Sequence, residues 1–442
     1  MALTYHFPPM REEVLSNGLR FIMLSDNEQP VIELLFQVAG GHAYDPCGRE
    51  GTAELTANLM LKGPRGCTHE QYADAMERVG ASHVLDVGDE YTTFGVRTLK
   101  NHADGVMRRF CDTLLSPAFD EKEFVRVRRE MVTALEAEYA DPSALAAKHF
   151  HAELYGRSHP QGRTAGPKSV RRISSADVRS FYGRLMNASN AAAVMAGDET
   201  VDTLEKKWKN LFDALQKSCG DMPDGGQNAT AAVKTTRIRL VDKPDTSQTT
   251  LIVGHFSVAE RHPAREALAL GNYILGGGNF SSRLMNRVRS RTGKTYGISS
   301  QIASRRDTGA FMMSTTTQNH QVGDVLAAII DVYRDTTENG ISEEELEKAK
   351  QFASGNLAFQ LEGIGNVAEK LLWLRFYGYD NSYIENHAAI ISSIGIDAVN
   401  EALKNVLASE GFVIAAVGRR ADIERQLERF GDVRVVNFRS DP

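Results

Sequence analysis

The sequence contains little cysteine and no long apolar run. Its 442 residues include four cysteines, Cys47, Cys67, Cys111 and Cys219, without a C-x-x-C pair. That pattern excludes a dense disulfide framework and a thiolate zinc cluster, and it favours free thiols in a reducing compartment. No segment approaches the roughly eighteen uninterrupted apolar residues of a membrane span. The N-terminal residues MALTYHFP lack the basic start and apolar stretch of a signal peptide, so we expect a cytoplasmic protein, or a periplasmic one if a leader has been removed.

The sequence also lacks an excess of positive charge. Its net charge is −6 and its isoelectric point is near 6.1, which argues against nucleic acid as the main partner. The hydrophobic content of 42% and the charged content of 24% are ordinary for a globular protein. A chain of this length has room for two or three domains, each with its own core.

The two halves of the chain resemble each other at an offset of about 220 residues. Each half has, in the same order, an apolar strand, an amphipathic helix, an acidic helix start, and a β run that ends in glycine before a charged helix. The paired segments are 31–38 with 249–256, 106–115 with 325–333, 119–124 with 341–346, and 191–212 with 412–430. In the second acidic start, Ser342 and Glu345 have the spacing of a capping box.

Repeats of this length are whole domains, and the Gly-, Pro- and polar-rich stretch in mid-chain marks the joint between them. We predict an N-terminal domain over residues 1–218, a linker over 219–234 and a homologous C-terminal domain over 235–442. Strands near the start and end of each half, with helices between, predict an α+β fold. Each domain is expected to be an α/β sandwich, with a mainly antiparallel or mixed sheet and helices packed on one face.

Residues 51–63, GTAELTANLMLKG, predict a helix that has few groups able to hold a metal. Glu54 and Asn58 are four residues apart and share a helix face, with Ala57 beside them. A carboxylate can ligate zinc, whereas alanine has no donor atom and asparagine is a poor zinc ligand. The simpler interpretation is a core helix whose apolar residues, Leu55, Leu59 and Met60, pack inward.

Five segments resemble motifs of one peptidase family. They are residues 38–46 (VAGGHAYDP), 51–64 (GTAELTANLMLKGP), 154–166 (LYGRSHPQGRTAG), 188–198 (ASNAAAVMAGD) and 276–297 (GGGNFSSRLMNRVRSRTGKTYG). Together they cover nearly the whole chain, and the sequence is similar to the pitrilysin/insulinase, or inverzincin, metallopeptidases. The resemblance implies a two-domain fold and peptide substrates. Within the family, the sequence looks like the zinc-free subunit type of mitochondrial processing peptidase.

The resemblance places the family's H-x-x-E-H motif on Glu54, Ala57 and Asn58, so both histidines and the general base are replaced. The family's third zinc ligand is a glutamate seven residues after another glutamate. Counting from Glu130 places that slot at Ala137, with Glu136 as a carboxylate one residue away. The resemblance therefore implies no metal and no cofactor in this chain, and zinc in a partner chain.

A second family constellation is intact. Arg289 and Tyr296 are seven residues apart, with Gly293 as a helix C-cap and a strand predicted from Thr295 to Ser299. In related peptidases this arginine binds substrate backbone carbonyls and this tyrosine helps to hold the oxyanion. Arg291 is the alternative if the register differs by two residues. Spacing alone favours a solvated helix residue for the arginine and a half-buried strand residue for the tyrosine, whereas the resemblance favours the functional roles.

Two further patterns carry weaker signals. Gly276, Gly277 and Gly278 precede two serines but lack a P-loop lysine, so we interpret them as a flexible loop that contacts substrate. His149 and His151 lie on different faces of a predicted helix and are a weak indication of a metal site.

The sequence therefore predicts a non-catalytic, substrate-binding subunit that is inactive alone. It would form a heterodimer with a homologous zinc-bearing peptidase chain, supply Arg289 and Tyr296 in trans for peptide hydrolysis, and bind neither nucleic acid nor membrane. The alternatives are a purely structural, core-type scaffold protein and a self-sufficient metallopeptidase with unrecognised ligands.

Overall fold

The computed structural model describes residues 5–216, 233–290 and 293–442. In these ranges twelve strands form, six in each half of the chain. The strands are Met10–Val14 (β1), Arg20–Ser25 (β2), Val31–Ala39 (β3), Ser82–Val87 (β4), Tyr91–Leu99 (β5), Ala191–Gly197 (β6), Arg237–Asp242 (β7), Gln248–Ser257 (β8), Thr295–Ser304 (β9), Gly309–Gln318 (β10), Val413–Gly418 (β11) and Asp432–Asn437 (β12).

Helices connect these strands. In the first half they are Thr52–Met60 (α1), His69–Glu77 (α2), Ala103–Leu115 (α3), Glu121–Ala137 (α4), Pro142–Tyr155 (α5), Pro167–Arg171 (α6), Ser175–Leu185 (α7) and Val201–Trp208 (α8). In the second half they are Arg265–Asn272 (α9), Val322–Asn339 (α10), Glu343–Gln360 (α11), Ile364–Phe376 (α12), Ser382–Glu385 (α13), His387–Ser393 (α14), Ile396–Ala402 (α15) and Arg420–Leu427 (α16).

The two sheets have the same topology apart from their outer strand. The first has the order β1-β2-β6-β3-β5-β4 and the second β12-β7-β11-β8-β10-β9. In both, one parallel pair (β2 with β6, β7 with β11) is followed by three antiparallel pairings, which join β6-β3-β5-β4 in the first sheet and β11-β8-β10-β9 in the second. The strand at the first edge of each sheet differs, because β1 runs antiparallel to β2 whereas β12 runs parallel to β7. This architecture confirms the predicted α+β fold with two similar halves and mixed sheets.

Local sequence signals set several helix starts. Asp120 accepts hydrogen bonds from the amides of Lys122 and Glu123 and so caps α4. Ser342 and Glu345 form the predicted capping box at the start of α11. These side chains satisfy amides that would otherwise lack a partner at a helix N-terminus.

Each sheet packs one face against helices of its own half. In the first half, Phe21, Phe36, Phe94 and Met195 lie in a buried core with α1, α3, α4 and α7. In the second half, Leu240, Val253 and Phe311 lie in a core with α9 and α10. The alternation of side chains along each strand leaves the remaining apolar positions on the opposite face.

The opposite face of each sheet is covered by a helix from the other half. Helix α5 of the first half buries Phe150 and Leu154 against the second sheet, where the partners are Ile252, Ala310, Met312, Val413 and Ala415. Helix α12 of the second half buries Leu371 and Leu374 against the first sheet, where the partners are Ile22, Leu24, Leu35 and Val194. The predicted single layer of helices corresponds to the helices that each half packs on its own sheet. The two halves also exchange helices α5 and α12, which form a layer on the opposite face of each sheet.

The predicted linker lies outside the described residues except for Val233 and Lys234, so the domain boundaries stay a prediction. The described cysteines, Cys47, Cys67 and Cys111, are all free thiols. Among the helices of the described ranges, none is both long and apolar enough to cross a membrane.

We expect Phe150→Ala to destabilise the protein by about 3–5 kcal/mol, the cost of removing a fully buried aromatic side chain from a core. Phe150 lies between the two halves, and its ring would be 2.9 Å from a Cβ added at Gly254 of β8. Denaturant unfolding measures the effect. Phe359→Ala is the matched control, since Phe359 is 72% exposed. Equal stability of the two variants would contradict the packing of α5 on the second sheet.

Candidate functional sites

The start of α1 is held by one buried carboxylate. Asp45 accepts hydrogen bonds from the amides of Gly51 and Ala53, both at 2.7 Å. Burial raises the pKa of Asp45 to about 6, against the opposing effect of these two amides. Gly51 has a φ of 100°, and a Cβ there would lie 2.8 Å from the Met131 side chain of α4. The helix that would carry the zinc ligands is therefore fixed at its first turn.

The three motif positions on α1 are occupied by side chains that engage each other or the core. The Asn58 amide donates to the Glu54 carbonyl oxygen at 2.9 Å and to Glu54 Oε1 at 3.2 Å. Ala57 is fully buried, as are Leu55 and Met60, which lie in the core as predicted. The Glu54 carboxylate lies 3.7 Å from the His42 ring, measured from Oε2 to Nε2.

Ala137 is not brought to this cluster. It is the exposed last residue of α4, whereas Met131, Ala134, Leu135 and Glu138 of that part of the chain face the cavity beside Glu54. A position seven residues after Glu130 shares the outward face of Glu130, because seven residues are close to two helical turns.

A second register of the same pattern starts at Glu123 and ends at Glu130. Arg126 binds both carboxylates, with Nη1 2.8 Å from Glu130 Oε1. Both also act on Lys62 of the segment that follows α1, where burial and then Arg126 lower the pKa of the lysine. Counting seven residues from Glu123 instead of from Glu130 ends at the Glu130 carboxylate, which is already paired with Arg126.

The donor set near α1 does not fit a zinc site. Zinc in such peptidases needs imidazole or thiolate ligands around an open position, and here one slot has no donor and another holds an amide that donates to Glu54. Within the described ranges, no three His, Cys, Asp or Glu side chains are grouped so that they could hold a metal ion.

Arg289 lies in a π-helical segment, Met285–Ser290, that is anchored by its neighbouring arginines. Arg283 forms a forked ion pair with Glu345 of α11, with Nε–Oε1 and Nη2–Oε2 both at 2.7 Å. Arg287 pairs with Asp335 of α10. Arg289 has no such pair among the described residues. Its guanidinium instead lies over the Phe280 ring, 4.9 Å from the centroid.

Tyr296 projects from the edge of the second sheet. It lies on β9, the outer strand, and is 91% exposed. Thr295 pairs with Thr317 and Ile298 with Thr315, so β9 has one extra residue at this point, a β-bulge. The Thr295 and Thr315 hydroxyls hold the bulge by donating to backbone carbonyl groups on either side of it. An exposed tyrosine on a fixed bulge is a side chain aimed at solvent or at a ligand.

Arg289 and Tyr296 line one open cleft of about 590 Å³, together with Gln248, Phe280 and Thr316. The structure thus brings these two predicted residues together, with Gly293 at a φ of 65° after the helix. It does not bring them to α1, because none of the residues lining this cleft belongs to the motif on α1. Arg291, the alternative arginine, lies outside the described residues.

The interpretation of the glycine triplet as a loop is wrong for its first two members. Gly276 and Gly277 end a π-helical segment, Tyr273–Gly277, and only Gly278 lies in the turn that follows. A Cβ on Gly276 would lie 2.4 Å from Ser300 Oγ, so this glycine allows the helix to pack closely on β9. Substrate contact by the three glycines stays a prediction.

His149 and His151 do not form a metal site with each other. His149 is buried, and its burial, followed by the charge of Arg239, lowers its pKa to about 4. His151 stacks on Tyr155, with 5.9 Å between ring centroids. The residue that the sequence did not indicate is Phe280, which is 70% exposed beside Arg289; a phenylalanine within a glycine-rich polar turn was the available signal.

Two family models match consecutive parts of the chain. Residues 20–168 match the model described as Insulinase (Peptidase family M16), and residues 172–352 match the model described as Peptidase M16 inactive domain.

The curated relatives have low sequence identity to this chain, but they match it over most of its length. An "Uncharacterized zinc protease" of Rickettsia bellii is 23% identical over 363 residues, which is 81% of this chain and 85% of the relative. A "Non-peptidase homolog YmxG" of Helicobacter pylori is 22% identical over 380 residues, 84% of this chain and 85% of the relative. Among solved structures, a peptidase M16 inactive domain from Pseudomonas fluorescens has the same fold, with a TM-score of 0.85 at 24% identity over 93% of this chain and 98% of that one.

We expect Glu345→Gln to reduce the free energy of unfolding by about 1–2 kcal/mol at pH 7, because it breaks the forked pair with Arg283. The hydrogen bonds from Arg283 lower the pKa of Glu345 from 4.5 to about 2. The stabilisation is therefore complete above pH 4.5 and is lost as the pH falls toward 2. Unfolding of both proteins at pH 7 and at about pH 3 measures this. Glu344→Gln is the control, since Glu344 is 80% exposed in its pair with Lys348. A pH-independent difference would contradict the assignment.

Proposed function

The chain belongs to the M16 (insulinase, or pitrilysin) peptidase family, and on that premise we propose that it is the non-catalytic, substrate-binding subunit of a two-chain zinc metallopeptidase. The arrangement resembles mitochondrial processing peptidase. A homologous partner chain carries H-x-x-E-H and the zinc, and this chain supplies Arg289 and Tyr296 in trans.

The observation that carries the proposal is the contrast between the two regions. The motif on α1 has lost its metal donors, and its remaining polar side chains bond to each other. Arg289 and Tyr296, by comparison, line one cleft, and the arginine has no carboxylate partner among the described residues. A half-buried cation and an exposed hydroxyl that line one open cleft are suited to a ligand that arrives from outside.

Each side chain has a defined role in peptide hydrolysis. The Arg289 guanidinium donates to backbone carbonyl oxygens of the substrate, and its planar fork suits that geometry better than a lysine ammonium. The Tyr296 hydroxyl donates to the oxygen that becomes negatively charged as water attacks, an interaction that contributes roughly 3 kcal/mol in comparable sites. Zinc on the partner supplies the activated water.

Strand β9 offers a place for the peptide backbone. It is the outer strand of the second sheet, and its side opposite β10 has no strand neighbour among the described residues. An extended peptide added there would bond through its backbone, so one surface could accept peptides of different sequence.

The names of the relatives disagree on whether they are peptidases. The Helicobacter pylori relative is called a non-peptidase homolog and the Rickettsia bellii relative a zinc protease. For this chain the donor set on α1 favours the non-catalytic role. A purely structural scaffold would share that donor set but would have no use for an arginine and a tyrosine that line one open cleft.

We expect the purified chain alone to bind less than about a tenth of an equivalent of zinc, since neither histidine slot of the motif holds an imidazole and the third slot, Ala137, has no donor. The pair purified with its partner should contain one zinc for the two chains. Atomic emission spectroscopy on both samples, after dialysis against zinc-free buffer, measures this. Stoichiometric zinc in the chain alone would favour a self-sufficient metallopeptidase instead.

We expect Arg289→Ala and Tyr296→Phe each to lower kcat/KM of the two-chain complex on an extended peptide by about 10²–10³-fold, because each removes a donor to the transition state. Peptide-cleavage kinetics measure the effect, and size-exclusion chromatography checks that assembly is unchanged.

Arg434→Ala is the control for these variants, since Arg434 is exposed on β12 at the opposite edge of the same sheet. It should leave turnover within about twofold of the parent complex. Full activity in both Arg289→Ala and Tyr296→Phe would overturn the role in trans and leave the scaffold function.

A further inference from the structure

A second cavity, of about 460 Å³, lies where the two halves meet beside the start of α1. Residues of the first half form most of its wall, and Arg305 from the β9–β10 turn closes it from the second half. It shares no lining residue with the cleft of Arg289 and Tyr296. Its volume is within the range of about 300–1,000 Å³ that is typical of small-molecule sites.

Polar atoms without a hydrogen-bond partner converge on this cavity. Within four residues of one loop, Gln161 Oε1, Arg163 Nε and Thr164 Oγ1 are all buried and have no hydrogen-bond partner in the described part of the chain, and Arg305 Nε is in the same state across the cavity. Buried unpartnered polar atoms are rare in folded proteins, so this group of them on residues lining one cavity calls for an explanation. A bound polar ligand is such an explanation.

The loop that carries three of these atoms is rigid. A Cβ on Gly162 would lie 2.0 Å from the carbonyl oxygen of Gly156, so the loop folds back on itself in a way that only glycine permits. The amides of Gly162 and Arg163 donate to the carbonyls of His159 and Pro160, at 3.0 and 3.1 Å. These contacts hold the backbone from which the polar side chains project, which lowers the entropic cost of ordering the loop around a ligand.

The charges of the wall leave one cation without a counter-ion. Arg305 pairs with Asp89, and Lys148 pairs with Glu138. Arg163 has no ion pair among the described residues. A partly buried guanidinium attracts an anion, and a carboxylate matches its forked donors.

The two carboxylates on the α1 side of the wall are engaged by donors. Asp45 accepts the amides of Gly51 and Ala53, and Glu54 accepts from the Asn58 side chain. These hydrogen bonds stabilise both carboxylates within the protein, so neither needs the Arg163 guanidinium as its partner.

The remaining wall is mostly apolar and has the shape to accept a small hydrophobic group. Its apolar part comprises Ala43, Met131, Ala134, Leu135, Ala147, Pro160 and Ala165, and the imidazoles of His42 and His151 complete the wall. We propose that this cavity binds the carboxylate end of a small organic ligand of dipeptide or tripeptide size. In this site Arg163 pairs with the carboxylate, Thr164 and Gln161 bond to its polar groups, and the apolar wall receives its side chain. The site goes beyond the proposed peptidase role and does not depend on a partner chain.

The chemistry fits either a free carboxylic acid or the C-terminus of a short peptide, and titration calorimetry on the purified full chain distinguishes them. The probes are the tripeptide Ala-Ala-Leu, the same peptide with a C-terminal amide, and propionate. We expect the free-acid tripeptide to bind at least about tenfold more tightly than the amide, because the amide lacks the charge that pairs with Arg163. Saturable binding of propionate with no tripeptide binding would overturn the peptide-sized ligand and assign the site to small acids.

Arg163→Gln should weaken binding of the preferred probe by about tenfold or more. Arg172→Gln, at a nearby exposed arginine, should change it by less than about twofold. Thr164→Val is a second variant of nearly unchanged shape that removes Oγ1, and it should weaken binding by several-fold if Arg163→Gln proves unstable. Absence of binding by all three probes, equal binding of acid and amide, or unchanged binding in both cavity variants would overturn the proposal and leave a cavity that holds water only.

Discussion

The structure depends on the exchange of one helix between its halves. Each sheet has two apolar faces, and its own helices cover only one of them. Helix α5 completes the second sheet and helix α12 completes the first. Separating the halves would expose both faces to water, at a cost that grows with the buried apolar area. The exchange therefore fixes the position of the cleft of Arg289 and Tyr296 relative to the cavity beside α1.

The position of α1 is set by contacts within the first half. The helix is held by the Asp45 carboxylate at its first turn and by buried Leu55, Ala57 and Met60 along its core face. None of these contacts involves the side chains of Glu54 or Asn58, so the helix keeps its place whatever residues occupy those two positions. The arginine–tyrosine cleft carries no comparable packing role, since Tyr296 is almost wholly exposed.

Much of the fold could be predicted from the sequence, because it is encoded locally. The paired strands, the capping box at Ser342 and the strand after Gly293 follow from short-range patterns, and the structure confirms them. The helix exchange could not be predicted, because periodicity shows that a face is apolar but not which surface covers it. The spacing of seven fits two starting glutamates on α4, and both end positions, Glu130 and Ala137, are exposed, so the third slot stays a prediction. The loop interpretation of Gly276 is wrong because a glycine that allows close packing and one that allows a loop look alike in sequence.

The arginines of the segment around Arg289 differ in their surroundings. Arg283 and Arg287 are each matched by a carboxylate on a neighbouring helix, and these pairs position the segment that carries Arg289. Arg289 itself lies over an aromatic ring, which orients the guanidinium, and it has no carboxylate partner among the described residues. A carboxylate at this point would have neutralised it and closed the cleft. Arg163 is the comparable residue in the first half, since Arg305 and Lys148 of the same cavity are paired and Arg163 has no ion pair among the described residues. Both proposed sites therefore rest on the surroundings of one arginine rather than on the charge of the whole chain.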